Sequence, residues 1–285
     1  MPKALIVTRF APSPTGRLHL GHAYSGVIGH ARARGAAGKF RLRIEDLDQS
    51  RCRPDYVEAI VEDLQWLGLA WDGSPLFQSR RSADYAAALD RLRGEGLVYA
   101  CLCTRSDIAA ALAAPHGPAR HYPGTCRGLP DDPARREKQP HSWRLDAGKA
   151  LDRTGLPYWT EADGHKFSST AADFDDVILA RKDAPAAYHL ACVVDDSASG
   201  VTMVVRGVDL RASTPIQRLL QNLLGLPEPR YLHHPLVIHA DGRRLAKRDL
   251  APTLAAMRDA GIDGRELAEQ LRGGIMPSDF RLGDA

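Results

Sequence analysis

The stretch RFAPSPTGRLHLGH, residues 9–22, comes straight after an apolar run and passes through two prolines and a glycine before it reaches two histidines three apart. Ala4 to Phe10 reads as a buried strand, the Pro- and Gly-containing loop as its end, and His19 to about Gly35 as a helix. Histidines at i and i+3 lie on one helix face. In the first turn, unpaired backbone N–H groups and the helix dipole favour an anion there. Gly21 removes a side chain between them, so a flat ring such as adenine can approach the backbone. Read alone, H-x-G-H is as well explained by two polar residues capping a helix, because so short a motif recurs by chance. Its place after a first strand and a Pro-fixed loop favours a nucleoside triphosphate.

Working outward, KFRLRIE (39–45) alternates like a strand, and PDYVEAIVEDLQWL (54–67) has helical spacing with Pro at its start. A β-α-β-α opening implies a parallel sheet packed with helices, an α/β protein whose ligands sit beyond the carboxyl ends of the strands. The loop after the first strand occupies that place. A helix over Ser82 to Glu95 leads to the strand-like LVYACLC, an Ala-rich helix ended by PHGP, and a polar Pro-rich region to about Pro140. Residues 100–180 lack the strand-helix rhythm and read as an inserted subdomain between two half-folds, 1–99 and 181–285. In the second half AYHLACVV reads as helix, VTMVVRG as strand, TPIQRLLQNLLG as helix, and HPLVIHADGRRLAKRD as a strand, an Asp-Gly turn and a basic loop.

The 285 residues are enough for a sizeable core, and a net charge of +3 permits a nucleic-acid partner without requiring one. No run approaches the ~18 apolar residues of a membrane span, and the apolar start is too short for a secretory leader, so no membrane and a cytoplasmic location are expected. Five cysteines is an odd number. Three of them, Cys101, Cys103 and Cys126, cluster, which points to metal and away from a disulfide scaffold. Soft sulfur favours zinc, which takes four ligands.

RFAPSPTG-x-LHLGH resembles the first signature of class I aminoacyl-tRNA synthetases, in the glutamyl and glutaminyl branch. The resemblance implies a Rossmann-like, HIGH-type nucleotide-binding fold that activates L-glutamate with ATP and Mg²⁺. It assigns Arg9, Ala11 and Ser13, with Phe10 and Pro12 of the same loop, to glutamate, and places Glu45 of RIEDLD on the α-amino group. A guanidinium fork suits a carboxylate, and an acid suits an ammonium. Tyr188 and Arg206 fall on further glutamate positions. Where glutamyl-tRNA synthetases typically read Y-H-F-A-N, this chain reads Y-H-L-A-C, so Cys192 replaces an amide that could bond the amino acid. His19, Gly21 and His22 fall on ATP positions. RRLAKRD (243–249) looks like the second signature, K-M-S-K-S: Lys247 matches its second Lys, Arg244 replaces the first, and Ala246 replaces the Ser. His19, His22 and Lys247 are thereby the expected catalytic residues.

The resemblance also supplies Tyr122 as the fourth ligand of a structural zinc, one per chain, in the inserted subdomain. His121 and His116 are the conventional alternatives. Ala285 follows soon after the Lys247 loop, leaving room for a short helical region but not for an anticodon-binding domain. Over its whole length the chain resembles the short members of this branch, which glutamylate the queuosine base in the anticodon loop of tRNA(Asp), at the wobble position, instead of the 3′ end. A monomer is expected. The competing readings are a minimal enzyme charging tRNA(Glu), another H-x-G-H nucleotidyltransferase making a small cofactor, and a non-catalytic tRNA-binding relative, the last favoured by the altered RRLAK loop.

Overall fold

The computed structural model describes residues 5–104, 106–108, 122–130, 132–245 and 252–283. Strand β1 (Val7–Phe10) is buried at every position, which is why its sequence is a continuous run and not an alternation. It starts at Val7, later than the sequence suggests; Leu5 is largely exposed, and Ala4 lies outside the described residues. Helix α1 (Leu20–Arg34), β2 (Lys39–Ile44), α2 (Pro54–Trp66), β3 (Leu76–Phe77) and α3 (Ser82–Gly94) follow in order. Pro54 sits in the first turn of α2, where its missing N–H breaks no hydrogen bond. β2 pairs in parallel with both β1 and β3.

The middle of the chain is built differently. β4 (Val98–Cys101), α4 (Pro133–Lys138), β5 (Ser142–Leu145), α5 (Ala147–Thr154), β6 (Tyr158–Thr160), β7 (Lys166–Ser168) and β8 (Ile178–Ala180) make an antiparallel sheet, β4-β5-β8, and a hairpin, β6-β7. The hairpin lies on the second half of the fold: Glu161 bridges to Tyr231, and Trp159 shares a small core with Val201, Val204 and Tyr231.

The strand-helix rhythm then resumes with α6 (Tyr188–Ala198), β9 (Met203–Gly207), α7 (Thr214–Leu224) and β10 (Arg230–His234). β9 and β10 are parallel. β9 runs beside β1, with Thr202 N donating to Val7 O at 2.9 Å and Arg9 Nη1 to Val205 O at 3.2 Å. β2 therefore lies on one side of β1 and β9 on the other. The chain changes direction across the layer at that point, and such a switch opens a crevice at the carboxyl ends of the strands. β11 (Leu236–His239), α8 (Leu254–Asp259), α9 (Gly264–Arg272) and β12 (Phe280–Gly283) complete the described chain, β11 pairing antiparallel with β12. Leu254 N donates to Leu18 O at 2.9 Å, which ties the start of α8 to the turn before α1.

Candidate active site

A cleft of about 720 Å³ opens beyond the ends of β1, β2 and β9. It brings together Arg9, Phe10, Ala11, Pro12 and Ser13 of the first loop, His19, Gly21 and His22 of the helix start, and Glu45, Tyr188 and Arg206. Lys247, Ala246, His116 and His121 lie outside the described residues. The segment carrying Lys247 is flanked by groups that meet the helix start. Leu245 lines the same cleft, and Thr253 forms a bridge with His19.

His19 is the N-cap of α1: its Nδ1 accepts from Gly21 N at 3.1 Å, while His22 Nδ1 accepts from His19 N at 3.2 Å. Capping and ligand binding are therefore compatible. An Nδ1 that accepts leaves the proton of the neutral ring on Nε2, so each imidazole has a donor suited to a phosphate oxygen. A Cβ on Gly21 would stand 3.1 Å from His19 Cε1, so a larger residue there would push the His19 ring aside by a few tenths of an ångström; the His19 and His22 rings sit 3.8 Å apart.

The Arg9 and Glu45 end of the cleft contains groups that sequence reasoning missed. Arg9 is buried, and its Nε donates to Asp196 Oδ1 at 3.0 Å. Arg43, one turn of the strand before Glu45, is also buried and bonds Asp196 Oδ1 through Nη1. Its Nη2 reaches Glu45 Oε1 at 2.9 Å and Cys192 Sγ at 3.4 Å. Arg9, Asp196, Arg43 and Glu45 thus form a chain of alternating charge across the floor of the cleft. Burial would raise the Asp196 carboxyl, but the Arg9 and Arg43 guanidiniums outweigh it and hold the carboxyl below its usual range. Burial pushes the Cys192 thiol up to about 12, so it stays protonated beside Arg43. The signal for this network was present in the sequence: charged residues inside apolar runs, RLRI and ACVVDD, need buried partners. Asp195, the neighbour of Asp196, turns the other way and is bonded by Gln78, Arg81 and Tyr85, fixing α6 to the start of α3.

Arg206 lines the cleft with every donor nitrogen already engaged: Nε to His233 at 3.1 Å, Nη1 to Gln217 at 2.8 Å and Nη2 to Thr214 at 2.8 Å. An N–H donating to His233 Nε2 fixes the proton of that ring on Nδ1, which donates to Glu161 Oε1 at 2.7 Å. The β6-β7 hairpin thereby braces Arg206.

In the middle of the chain, Cys101, Cys103 and Cys126 bring their sulfurs within 4.8 Å of one another. Tyr122 Oη lies 3.3 Å from Cys101 Sγ and 3.5 Å from Cys103 Sγ, and the Cys103 and Cys126 sulfurs are 3.5 Å apart. A tetrahedral zinc with Zn–S near 2.3 Å sets its ligand atoms about 3.7 Å apart. The cluster has room for such an ion after small adjustments.

With this geometry in place, comparison with known proteins identifies the fold and its branch. The sequence profile of the tRNA synthetases class I (E and Q), catalytic domain, matches residues 5–272. The chain belongs to that family. Within it, the chain is 48% identical over 256 residues to the glutamyl-Q tRNA(Asp) synthetase of Nocardia farcinica, covering 89% of this chain and 79% of that one. It is 44% identical over 275 residues to the glutamyl-Q tRNA(Asp) synthetase of Rhodobacter capsulatus, covering 92% and 98%. Among solved structures it is similar to the glutamate-tRNA synthetase of Elizabethkingia anophelis, with a TM-score of 0.81 and 27% identity. The match covers 96% of this chain and 63% of that one, so this class I synthetase spans less than two thirds of the longer enzyme. Among the described residues no helix is long and apolar enough to cross a membrane.

Proposed function

We propose that this class I synthetase activates L-glutamate with ATP and transfers the glutamyl group to the queuosine base of tRNA(Asp). The observation that carries the glutamate part is the alternating chain Arg9⁺–Asp196⁻–Arg43⁺–Glu45⁻. Glutamate has a side-chain carboxylate for the Arg9 end and an ammonium for the Glu45 end, so the bound amino acid continues the alternation at both ends. A neutral or basic side chain would leave Arg9 without a partner on the cleft side. The transfer part rests on the relatives at 44% and 48% identity.

In the first step an oxygen of the α-carboxylate attacks the α-phosphorus of ATP, and the bond to pyrophosphate breaks. A carboxylate is already a nucleophile at pH 7, so the site has to position two anions and neutralise charge more than move a proton. Nε2–H of His19 and His22 at the positive end of α1 meet the phosphates, with Lys247 completing the set and Mg²⁺ entering with ATP. In the second step a hydroxyl of the queuosine cyclopentene ring attacks the adenylate carbonyl, and AMP departs. Glutamate-dependent exchange of pyrophosphate into ATP tests the first step. Exchange with glutamate and none with aspartate or glutamine is expected, and no exchange with glutamate would refute the reading.

Residues 100–180 act in this proposal as an inserted subdomain, held by one structural zinc on Cys101, Cys103, Cys126 and Tyr122. Such an ion supplies cross-linking and folding free energy but no reaction chemistry. Burial holds the Tyr122 phenol protonated in the absence of an ion, so the charge of the zinc itself would have to draw off its proton, while the Arg144 guanidinium packs 3.8 Å over the ring. Purified protein is expected to carry one zinc, and Cys103→Ser to lose it together with several degrees of thermal midpoint. A metal-free native chain that melts as high as a zinc-loaded one would contradict this assignment.

A further inference from the structure

Two buried arginines line the cleft, and they are not partnered alike. Arg9 pairs with the Asp196 carboxylate. Arg206, 4% exposed, bonds only neutral groups: the ring of His233, the amide of Gln217 and the hydroxyl of Thr214. Among the described residues no carboxylate pairs with it. A buried guanidinium without a counter-ion is costly, so the charge of Arg206 is left for an anion in the cleft. Three of its five N–H groups are committed, which leaves one on each terminal nitrogen, enough for the two oxygens of a carboxylate.

An acid does reach Arg206, at one remove. Glu161, in the turn of the β6-β7 hairpin, accepts at Oε1 from His233 Nδ1–H at 2.7 Å and from Trp159 Nε1–H at 3.1 Å. The hairpin is held there by its backbone as well, Ala162 N donating to Tyr231 O at 2.6 Å, two residues before His233. Burial lowers the His233 pKa from its ordinary value against the pull of Glu161, so the ring carries one proton at neutral pH. With that proton on Nδ1, Nε2 is a lone pair aimed at Arg206 Nε–H, and Thr214 Oγ lies 3.3 Å from the same nitrogen. Without an acceptor at Nδ1 the proton is free to move to Nε2, where it would stand donor to donor against Arg206. The ring is thus a neutral spacer, which fixes the guanidinium without cancelling its charge.

We propose that Glu161 sets the affinity of the cleft for glutamate, acting through His233 on Arg206. The proposal rests on the reading of the cleft as a glutamate site. Arg206 meets a carboxylate of the amino acid, and Glu161 and His233 are positioning residues. An acid placed directly on Arg206 would compete with the substrate, whereas one held behind an imidazole orients the fork and leaves it open.

The test is glutamate-dependent pyrophosphate exchange, comparing the KM for glutamate with the KM for ATP and with kcat. Glu161→Leu is expected to raise the KM for glutamate roughly tenfold, the worth of one misdirected buried hydrogen bond, and to leave the KM for ATP unchanged. Glu161→Gln keeps a carbonyl acceptor for Nδ1–H and is expected to restore most of the glutamate affinity. His233→Phe is expected to raise the KM for glutamate as well, and adding Glu161→Leu to it to have no further effect, because Glu161 acts only through the ring. A general folding defect lowers the amount of active enzyme and hence kcat, and leaves both KM values alone. An unaltered KM for glutamate in Glu161→Leu, an equal rise in the KM for ATP, or additive effects in the double variant would overturn the proposal alone. No glutamate-dependent exchange by the native chain would overturn the glutamate reading with it.

Discussion

Arg43→Met is expected to abolish glutamate activation and to destabilise the chain by roughly 3–5 kcal/mol, the cost of leaving buried charges without their partner. Arg43 is 3% exposed and holds both Asp196 and Glu45. Without it, Glu45 loses the contact that aims it into the cleft, and Asp196 is left to Arg9 alone. Arg43→Lys keeps the charge but has a single ammonium in place of a fork that spans Asp196, Glu45 and Cys192. It is expected to recover much of the stability and little of the activity. Urea unfolding and glutamate-dependent pyrophosphate exchange, measured on both variants, separate the two effects. Exchange near the native rate in Arg43→Met would mean that the network does not organise the glutamate site.

His19→Ala is expected to slow adenylate formation by ~10²–10³-fold, as when one donor to a developing transition-state charge is removed. It also removes an N-cap, which costs about 1 kcal/mol of stability. The two losses are separable, because His19→Asn can still cap Gly21 N but lacks the imidazole Nε2–H proposed to meet the phosphates. Asn at this position is expected to restore the melting midpoint while exchange stays low. If Asn restores the rate as well, His19 is a cap and nothing more.

How much of this was legible in the sequence depends on the range of the interaction. The opening strand, the helix after HLGH and the parallel pairing were readable because periodicity, the proline positions and Gly21 are local signals. The end of the first strand placed Arg9 near a ligand, and the end of the second placed Glu45 beside it. The pairing of Arg9 and Arg43 with Asp196 was not readable, since it joins residues more than 150 positions apart. The same holds for Ser25 with His234, separated by 209 positions. VVDD signals buried acids but not which one turns toward the cleft; only the packing of α6 between α3 and the sheet separates Asp195 from Asp196. Arg206 was expected to face glutamate. It lines the cleft, but no local signal points to His233, Gln217 and Thr214 engaging its guanidinium.

The most direct test of the account is transfer of radiolabelled glutamate, with ATP and Mg²⁺, into purified tRNA(Asp) with and without queuosine and into tRNA(Glu). Label confined to queuosine-containing tRNA(Asp) is the predicted result. Label in tRNA(Glu), or in tRNA(Asp) lacking queuosine, would contradict it.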